Sequence, residues 1–464
     1  MDPTTALSDA RPQVMWLDTP DRPPVGDPLA GDTTSDLVVV GAGYTGLWAA
    51  LQAIQDDPDR DVLVIESGTV AGQASGRNGG FLSLSLTHGL ANGLQRFGAD
   101  IDRIQDAARD NFDSIVDTIQ RTGMDARLEL TGNLAVATEP WTVDEVRADG
   151  ELRASHGDPL QFLDRDAIRA ELGSPTYRSG YWVTSGEALV DPARLGWGLA
   201  AAARAAGVRI VEGTTMTGLE RHGAQMVVRT DRGTVRCRGV VLGTNAFRSP
   251  VRAVNRRVVP VYDYVLATEP LSATQLDSIG WRHRQGVSDA TNQFHYYRLT
   301  ADDRILWGGY DAVFYNGGRI DPSLDQRPET HRRLAEHFFQ TFPQLEGLRF
   351  SHRWGGVIDT STRFSVGFGT AFDGRVAYAV GYTGLGVGAS RFGARVCLDL
   401  LDSPGSELLS LSLVRKGPMP FPPEPLRSVG IQLTRRAIAK ADARQGRRGP
   451  WLRLLDRVGL GFDS

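Results

Sequence analysis

The chain has 464 residues, 41% of them hydrophobic, enough for two domains with separate cores. A net charge of -4 and a pI of about 6.1 exclude a globally basic nucleic-acid binder. The two cysteines, Cys237 and Cys397, exclude a disulfide framework, and the start lacks a basic run followed by an apolar core, so a cytoplasmic protein with no metal site and no transmembrane segment is expected.

Residues 1–35 are rich in Pro, Asp and Thr and predict an irregular arm. The chain then runs DLVVVGAGYTGLWAA and, one helix length later, DVLVIESG. Leu37 to Val40 and Val62 to Ile65 are apolar throughout, which predicts central parallel strands flanking a helix over Leu47 to Ile54. Gly41, Gly43 and Gly46 sit between strand and helix in a G-x-G-x-x-G pattern. The first glycine permits the tight turn, the second leaves pyrophosphate room against the backbone, and the third lets helix and strand approach. Unpaired N–H groups at the helix start suit phosphate charge. Glu66 closes the second strand 20 residues after Gly46, where a carboxylate can accept hydrogen bonds from adenosine ribose hydroxyls. This unit predicts an adenine dinucleotide, either NAD or FAD.

Next comes AGQASGRNGGFLSLS, a loop too rich in small and polar residues to build much core. In Ile101 to Gln120, the positions Ile101, Ile104, Ala108, Phe112, Ile115 and Ile119 recur at three and four, predicting a helix with one buried face. A strand follows at Asn133 to Thr138, then a helix and strand within Asp191 to Val211, then strands at Met226 to Thr230 and Val235 to Gly243. From Val258 to Tyr310 the pattern turns β-rich and aromatic, predicting a second sheet whose face packs a core or lines a cavity. Tyr262, Tyr264, His295, Tyr296, Tyr297, Arg298 and Trp354 are its candidate substrate contacts. Strand alternation forbids Tyr296 and Tyr297 from facing the same cavity. Arg332 to Phe342 predicts a helix, and the chain returns through strand Val376 to Val380, a glycine-rich turn and helix Val387 to Leu401.

The expected division is an arm at 1–35, a discontinuous nucleotide domain at 36–100, 185–255 and 355–405, and a substrate domain at 101–184 and 256–354. Residues 406–464 form a basic amphipathic extension, whose part from Arg427 carries nine Lys and Arg against three Asp, with Trp451 as apolar anchor. It reads as surface helices docked on this chain or on a dimer mate, or as a peripheral membrane contact.

The segments VVVGAGYTGLWAA (38–50), ASGRNGG (74–80), GNLAVATEP (132–140), DPARLGWGLA (191–200), YVLATEPL (264–271) and VGYTGLGVGAS (380–390) resemble, in order, a known family. It is the FAD-dependent D-amino-acid oxidase, glycine oxidase and sarcosine oxidase superfamily, and within it the γ-glutamylputrescine oxidoreductases. The resemblance implies an α/β FAD-binding, Rossmann-like domain of the glutathione-reductase type, with a second, antiparallel-sheet α+β substrate domain. It implies FAD as cofactor, with Gly41, Gly43, Tyr44, Thr45, Gly46, Glu66 and Ser67 at its ADP half. Ala74, Ser75, Arg77, Asn78, Gly79 and Gly80 would run from pyrophosphate to isoalloxazine, with donors from Ser75, Arg77 and Asn78. Thr214 and Met216 would neighbour adenine, and Gly243 and Thr244 would close around the cofactor. Gly381, Thr383, Gly384, Leu385 and Gly386 would aim helix N–H groups at the pyrimidine ring, where charge develops on reduction. Tyr264, His295, Tyr297, Arg298 and Trp354 would form the catalytic pocket.

GGVIDTSTRFSVGFG (355–369) contains no cysteine for flavin attachment, so FAD is expected to be non-covalent; the stretch also lacks the family's Asp-x-x-Pro pattern. His88 lies where some relatives attach flavin, but its surroundings differ from theirs, so it is expected to be structural. The implied reaction is oxidation of a primary or secondary amine, an amino acid or a polyamine derivative, by hydride transfer to flavin N5. The imine would hydrolyse, and oxygen or another acceptor would reoxidise the flavin. An NAD-dependent dehydrogenase and a flavin-fold binding or membrane-associated scaffold are the alternatives.

Overall fold

Leu37–Val40, Val62–Ile65, Gly239–Leu242 and Val376–Val380 are buried at every position, as parallel strands covered on both faces must be. The computed structural model that contains them describes residues 2–457 and 460; Met1, 458–459 and 461–464, the outer ends of the predicted arm and extension, lie outside the described residues. These strands form a six-stranded sheet in the order Gly367–Ala371, Val376–Val380, Gly239–Leu242, Leu37–Val40, Val62–Ile65, Arg209–Val211, antiparallel only at its first pair. Helices Tyr44–Asp56, Pro192–Ala205 and Gly386–Asp402 bury their apolar residues in one core with it. The first of these helices starts at Tyr44, earlier than predicted, because Gly43 is its N-cap. The third motif glycine therefore lies inside the helix.

Helix Ile101–Thr122 buries all six predicted apolar positions. Its stripe packs into the nucleotide-domain core, and Asn111 Nδ2 donates to the Gly388 carbonyl at 3.0 Å. The sequence assigns this helix to the substrate domain; its apolar face instead joins it to helix Gly386–Asp402.

The second sheet has eight strands, ordered Phe350–Ser361, Val258–Thr268, Ile305–Gly309, His295–Leu299, Gly286–Asp289, Asn133–Ala137, Ser179–Val183, Leu160–Leu163. It is antiparallel except where Gly286–Asp289 meets Asn133–Ala137 in parallel, after a long excursion of the chain through the nucleotide domain. Strand Phe350–Ser361 pairs with Val258–Thr268 in one register from His352 to Ser361, so the strand crosses 354–355, where the sequence expects a boundary. Helix Pro328–Thr341 covers one face of this sheet over a core that includes Tyr264, Tyr297, Trp307, Phe338 and Phe342. The other face is turned towards the nucleotide domain.

The arm is irregular for most of its length but firmly docked. Ala6, Leu7 and Ala10 enter the substrate-sheet core, and Trp16 Nε1 donates to the Asn78 carbonyl at 2.9 Å. The extension forms helices Leu426–Asp442 and Pro450–Arg457, which lie on their own chain. Asp442 accepts hydrogen bonds from Asn292 N (3.3 Å), Asn292 Nδ2 (2.6 Å) and Gln293 N (3.0 Å). Gln432 Nε2 donates to the Phe314 carbonyl at 2.9 Å, and Trp451 Nε1 donates to Thr434 Oγ1 at 3.0 Å. Among the described residues no helix is long and apolar enough to cross a membrane.

Bonds to a charged acceptor contribute about 1.5–3 kcal/mol each, so Asp442 is the main polar fastening of the longer helix. Asp442→Ala is expected to speed tryptic cleavage within 427–448 about tenfold or more, leaving the main unfolding transition in place. Unchanged cleavage would mean that apolar packing alone holds the extension.

Candidate active site

A single cavity of about 2380 Å³ begins at the carboxyl ends of the parallel strands, runs between the two sheets and ends under the C-terminal helices. At its nucleotide end the glycine turn carries the chain from strand to helix, and the first i to i−4 bond of the helix, from Leu47 N to the Gly43 carbonyl, is 2.9 Å. The N–H groups before it belong to the open end of the helix. Gly46 has no room for a side chain: a Cβ there would stand 1.8 Å from the Gly41 carbonyl oxygen. Glu66 is oriented by its own loop, accepting from Ala42 N at 2.8 Å and Gly68 N at 2.7 Å. Gly41, Gly43, Tyr44, Thr45, Glu66, Ser67, Thr214, Met216, Gly243 and Thr244 all border the cavity, while Gly46 sits behind its wall.

The loop after the second strand folds as one helical turn, Ala74–Arg77. Ala74, Ser75, Arg77, Asn78 and Gly79 border the cavity; Gly80 does not. The side chains of Arg77 and Asn78, expected as donors to a ligand, instead brace the loop. Arg77 pairs with Asp325 at 2.5 Å and donates to the Gly72 carbonyl, whereas Asn78 donates to the carbonyls of Ala74 and Ser75 and accepts from Gly80 N. Ser75 Oγ accepts from Tyr44 N at 2.9 Å and ties this loop to the first glycine turn.

At the third zone, Thr383, Gly384, Leu385 and Gly386 border the cavity and Gly381 stands behind them. Asp359 holds this turn, accepting from Gly381 N at 2.6 Å and Tyr382 N at 3.1 Å. Burial pushes the Asp359 pKa up to about 7 against those bonds. Thr45 Oγ1 donates to Tyr382 Oη at 2.8 Å, linking the two glycine turns. His88, expected to be structural, borders the cavity beside Phe364, with its ring 5.3 Å away, and desolvation lowers its pKa.

The buried atoms Thr244 Oγ1, Asn245 Nδ2 and Ser390 Oγ have no hydrogen-bond partner among the described residues, and all three residues border the cavity. Unsatisfied buried polar atoms beside an open channel fit a long polar ligand. Together with the three glycine zones, they suit an extended dinucleotide.

None of the five residues expected to be catalytic borders the cavity. Tyr264 Oη meets Tyr315 Oη at 2.9 Å and donates to the Leu324 carbonyl at 2.8 Å. Tyr297 Oη meets Tyr177 Oη at 2.5 Å. His295 lies between Asp289 (2.7 Å) and His337 (2.9 Å). Trp354 Nε1 donates to the Arg77 carbonyl at 2.9 Å, and Arg298 Nη1 donates to the carbonyls of Val190 at 2.7 Å and Gly80 at 3.4 Å, so these two buttress the 74–80 loop from behind. The cause is strand alternation: Val259, Val261, Asp263 and Val265 face the cavity, so Tyr264 turns into the core. On strand His295–Leu299, one strand further across the sheet, Tyr296 faces the cavity and Tyr297 does not.

The residues brought together there are Asp263 and Tyr296. Tyr296 Oη donates to Asp263 Oδ2 at 2.5 Å, and the N–H groups of Tyr264 and Gly309 also serve the carboxylate. Burial nevertheless pushes the Asp263 pKa up to about 6. The Tyr296 ring packs on the loop where Gly79 leaves space, since a Cβ at Gly79 would come within 2.6 Å of Tyr296 Cε2. The pair thus stands at the inner end of that loop and can hold or accept a proton. Asp263 escaped the sequence reading because the aromatic residues around it drew attention to the opposite face.

Comparison with known proteins agrees with this architecture. The family described as FAD dependent oxidoreductase (DAO) matches residues 36–400. Gamma-glutamylputrescine oxidoreductase of Escherichia coli (strain K12) is 31% identical over 379 residues, covering 81% of this chain and 85% of that protein. The crystal structure of glycine oxidase from Geobacillus kaustophilus aligns with a TM-score of 0.65 at 20% identity, covering 82% of this chain and 99% of that one. L-proline dehydrogenase from P. horikoshii aligns at 0.66 and 17% identity, covering 81% of this chain and 96% of that one. Both show the same fold: an FAD-binding Rossmann-like domain joined to a second sheet domain. The family match across most of the chain, and a relative this similar over four-fifths of it, fix the assignment: the chain belongs to the DAO family of FAD-dependent oxidoreductases, with FAD as its cofactor.

Proposed function

We propose that the protein is an oxidase of primary or secondary amines, working in the cytoplasm on an amino acid or polyamine derivative. The observation that carries this reading is the Asp263–Tyr296 pair, set beside the Gly79 loop in the cavity that also holds the dinucleotide zones. The names of the relatives, which act on γ-glutamylputrescine, glycine and L-proline, point to the same substrate chemistry.

Bound FAD supplies the hydride acceptor, flavin N5, and is in turn reoxidised by oxygen. The glycine turns at Gly41–Gly46 and Gly381–Gly386, with Glu66 and the Ser75–Gly79 loop, would hold it. Both cysteines are buried, and none stands at 355–369, which supports a dissociable cofactor.

The chain itself has three tasks. An alkylammonium has no lone pair, so the amine must lose a proton before its C–H bond can be oxidised. The Asp263 carboxylate accepts that proton, and the Tyr296 O–H fixes the direction from which it does so. Val259, Val261 and Val265, on the same strand face as Asp263, line the adjoining wall, orienting the carbon skeleton and excluding water until the imine leaves to be hydrolysed.

The test is to mix the yellow holoenzyme anaerobically with a panel of amines and amino acids while following flavin absorbance, then to admit oxygen and measure peroxide. Bleaching by an amine and stoichiometric peroxide are expected. A flavin that no amine bleaches, or that oxygen does not restore, would overturn the corresponding half of the proposal.

A further inference from the structure

Helix Leu426–Asp442 places Arg435 at the border of the cavity, beside Asp311 and Tyr315 of the substrate domain. Its guanidinium has one side-chain hydrogen bond, from Nη1 to Gln432 Oε1 at 3.1 Å, and no carboxylate within ion-pair distance among the described residues. Of the other arginines that border the cavity beside it, Arg333 pairs with Asp311 at 2.9 Å and Arg427 with Glu424 at 2.7 Å, while Arg436 is exposed to solvent. Asp311, the acid whose charge Arg435 feels most, is already occupied by Arg333 and by Thr330 Oγ1 at 2.7 Å. Burial works against the charge on Arg435 and lowers its pKa. A half-buried arginine that meets no carboxylate among the described residues, on a wall of the cavity, is suited to receive an anion from it.

Its position is not accidental to the fold. Gln432, which holds the guanidinium, is itself fastened through Nε2 to the Phe314 carbonyl, and Asp442 locks the far end of the same helix. The helix lies beyond residue 400, where the family match ends. It therefore adds to the shared site a cation carried by this chain's own extension.

We propose that Arg435 is a specificity-determining residue that binds a carboxylate remote from the reacting nitrogen, so that the substrate is an amine with an acid at its other end. This rests on the amine reading above, with the amine at Asp263 and Tyr296 and the carboxylate under the C-terminal helix. A bidentate arginine–carboxylate contact fits the planar acid group and excludes a second ammonium, which disfavours unmodified diamines.

Two titrations of the holoenzyme test it separately from the amine chemistry. In the first, hexanoate and 1-hexanol, which lack nitrogen, are added to the oxidised protein and perturbation of the flavin spectrum is read. Hexanoate is expected to bind, and Arg435→Ala to weaken it about 10- to 100-fold, the range of one charge-assisted bidentate contact. In the second, 4-aminobutanoate, 6-aminohexanoate and 8-aminooctanoate are compared anaerobically with butylamine, hexylamine and octylamine, reading flavin bleaching. The wild type is expected to prefer the acid of matching length, and Arg435→Ala to reduce that preference by about 10- to 100-fold through half-saturation rather than limiting rate. Arg435→Lys should restore part of it, and Lys440→Ala, which removes an exposed charge from the same helix, should leave the preference in place. Equal loss on acids and plain amines, an equal effect of Lys440→Ala, or hexanoate binding that ignores Arg435 would overturn the proposal. If no amine bleaches the flavin while hexanoate binding still depends on Arg435, the amine reading fails and the carboxylate site stands.

Discussion

Asp263→Asn is expected to slow anaerobic flavin reduction by a saturating amine about 10²- to 10⁴-fold, the usual contribution of a positioned proton acceptor, while making the protein more stable at neutral pH. The opposite signs follow from one fact. Burial raises the Asp263 pKa from 3.8 to about 6, even though Tyr296 and two backbone N–H groups favour the ionised form. The folded state thus binds the proton more tightly than the unfolded chain does. The stabilisation from that proton is complete below about pH 4 and is lost as pH rises through 6, leaving about 3 kcal/mol of burial cost at pH 7.

Asparagine keeps an acceptor for the tyrosine and carries no charge to bury. The difference in melting temperature between variant and wild type should therefore widen from pH 4 to pH 7, in favour of the variant. Activity runs the other way: wild-type reduction at low amine concentration should rise through about pH 6 as the carboxylate ionises, and this limb should vanish in the variant. Tyr296→Phe removes a bond that favours ionisation, so it should move the limb to higher pH without abolishing it. A variant that reduces flavin at the wild-type rate would remove Asp263 from the mechanism.

How far the sequence carried depends on the range of the contacts involved. The first glycine turn was legible because its requirements are local: an apolar strand, a tight turn and a helix start lie within twenty residues of one another. Helix Ile101–Thr122 was legible as a helix and its buried face was correct, yet a stripe of isoleucines does not say which core receives it. The aromatic strands were the hardest case. Alternation separated Tyr296 from Tyr297 and Asp263 from Tyr264, but both faces of that sheet are covered, so apolarity could not tell core from cavity. The tyrosine hydroxyls, which look like site groups in a sequence, are satisfied by one another across 51 and 120 residues and by a carbonyl 60 residues away. Arg435 was visible only as one charge in a basic tail, because its setting depends on Asp442 reaching Asn292 across 150 residues.

The other large effect is expected at Gly46. Gly46→Ala should yield protein that loses FAD on gel filtration and is destabilised by more than about 4 kcal/mol, seen as insolubility or a collapsed melting temperature. An added Cβ would stand 1.8 Å from Gly41 O, 3.0 Å from Gly41 C and 3.1 Å from Val39 Cγ1. The first two are backbone of the strand and its turn, with no rotamer to change, so the helix itself would have to lift. Helix Tyr44–Asp56 is buried at Leu47, Trp48, Ala49, Ala50 and Leu51 against the same core as helices Pro192–Ala205 and Gly386–Asp402, and lifting it would open that contact. Gly43→Ala makes the informative contrast. Its Cβ would meet Ser75 Oγ at 2.9 Å, and a serine side chain can turn away. Turning it breaks the bond to Tyr44 N, so FAD affinity should fall while the protein still folds. Gly98→Ala, with nothing within 4 Å of its Cβ and a φ of -47, should be close to neutral. Equal retention of FAD by all three variants would show that the helix can move away from the strand at little cost. The predicted order instead separates two roles within one motif, since Gly46 governs how closely helix meets strand and Gly43 governs what the turn can hold.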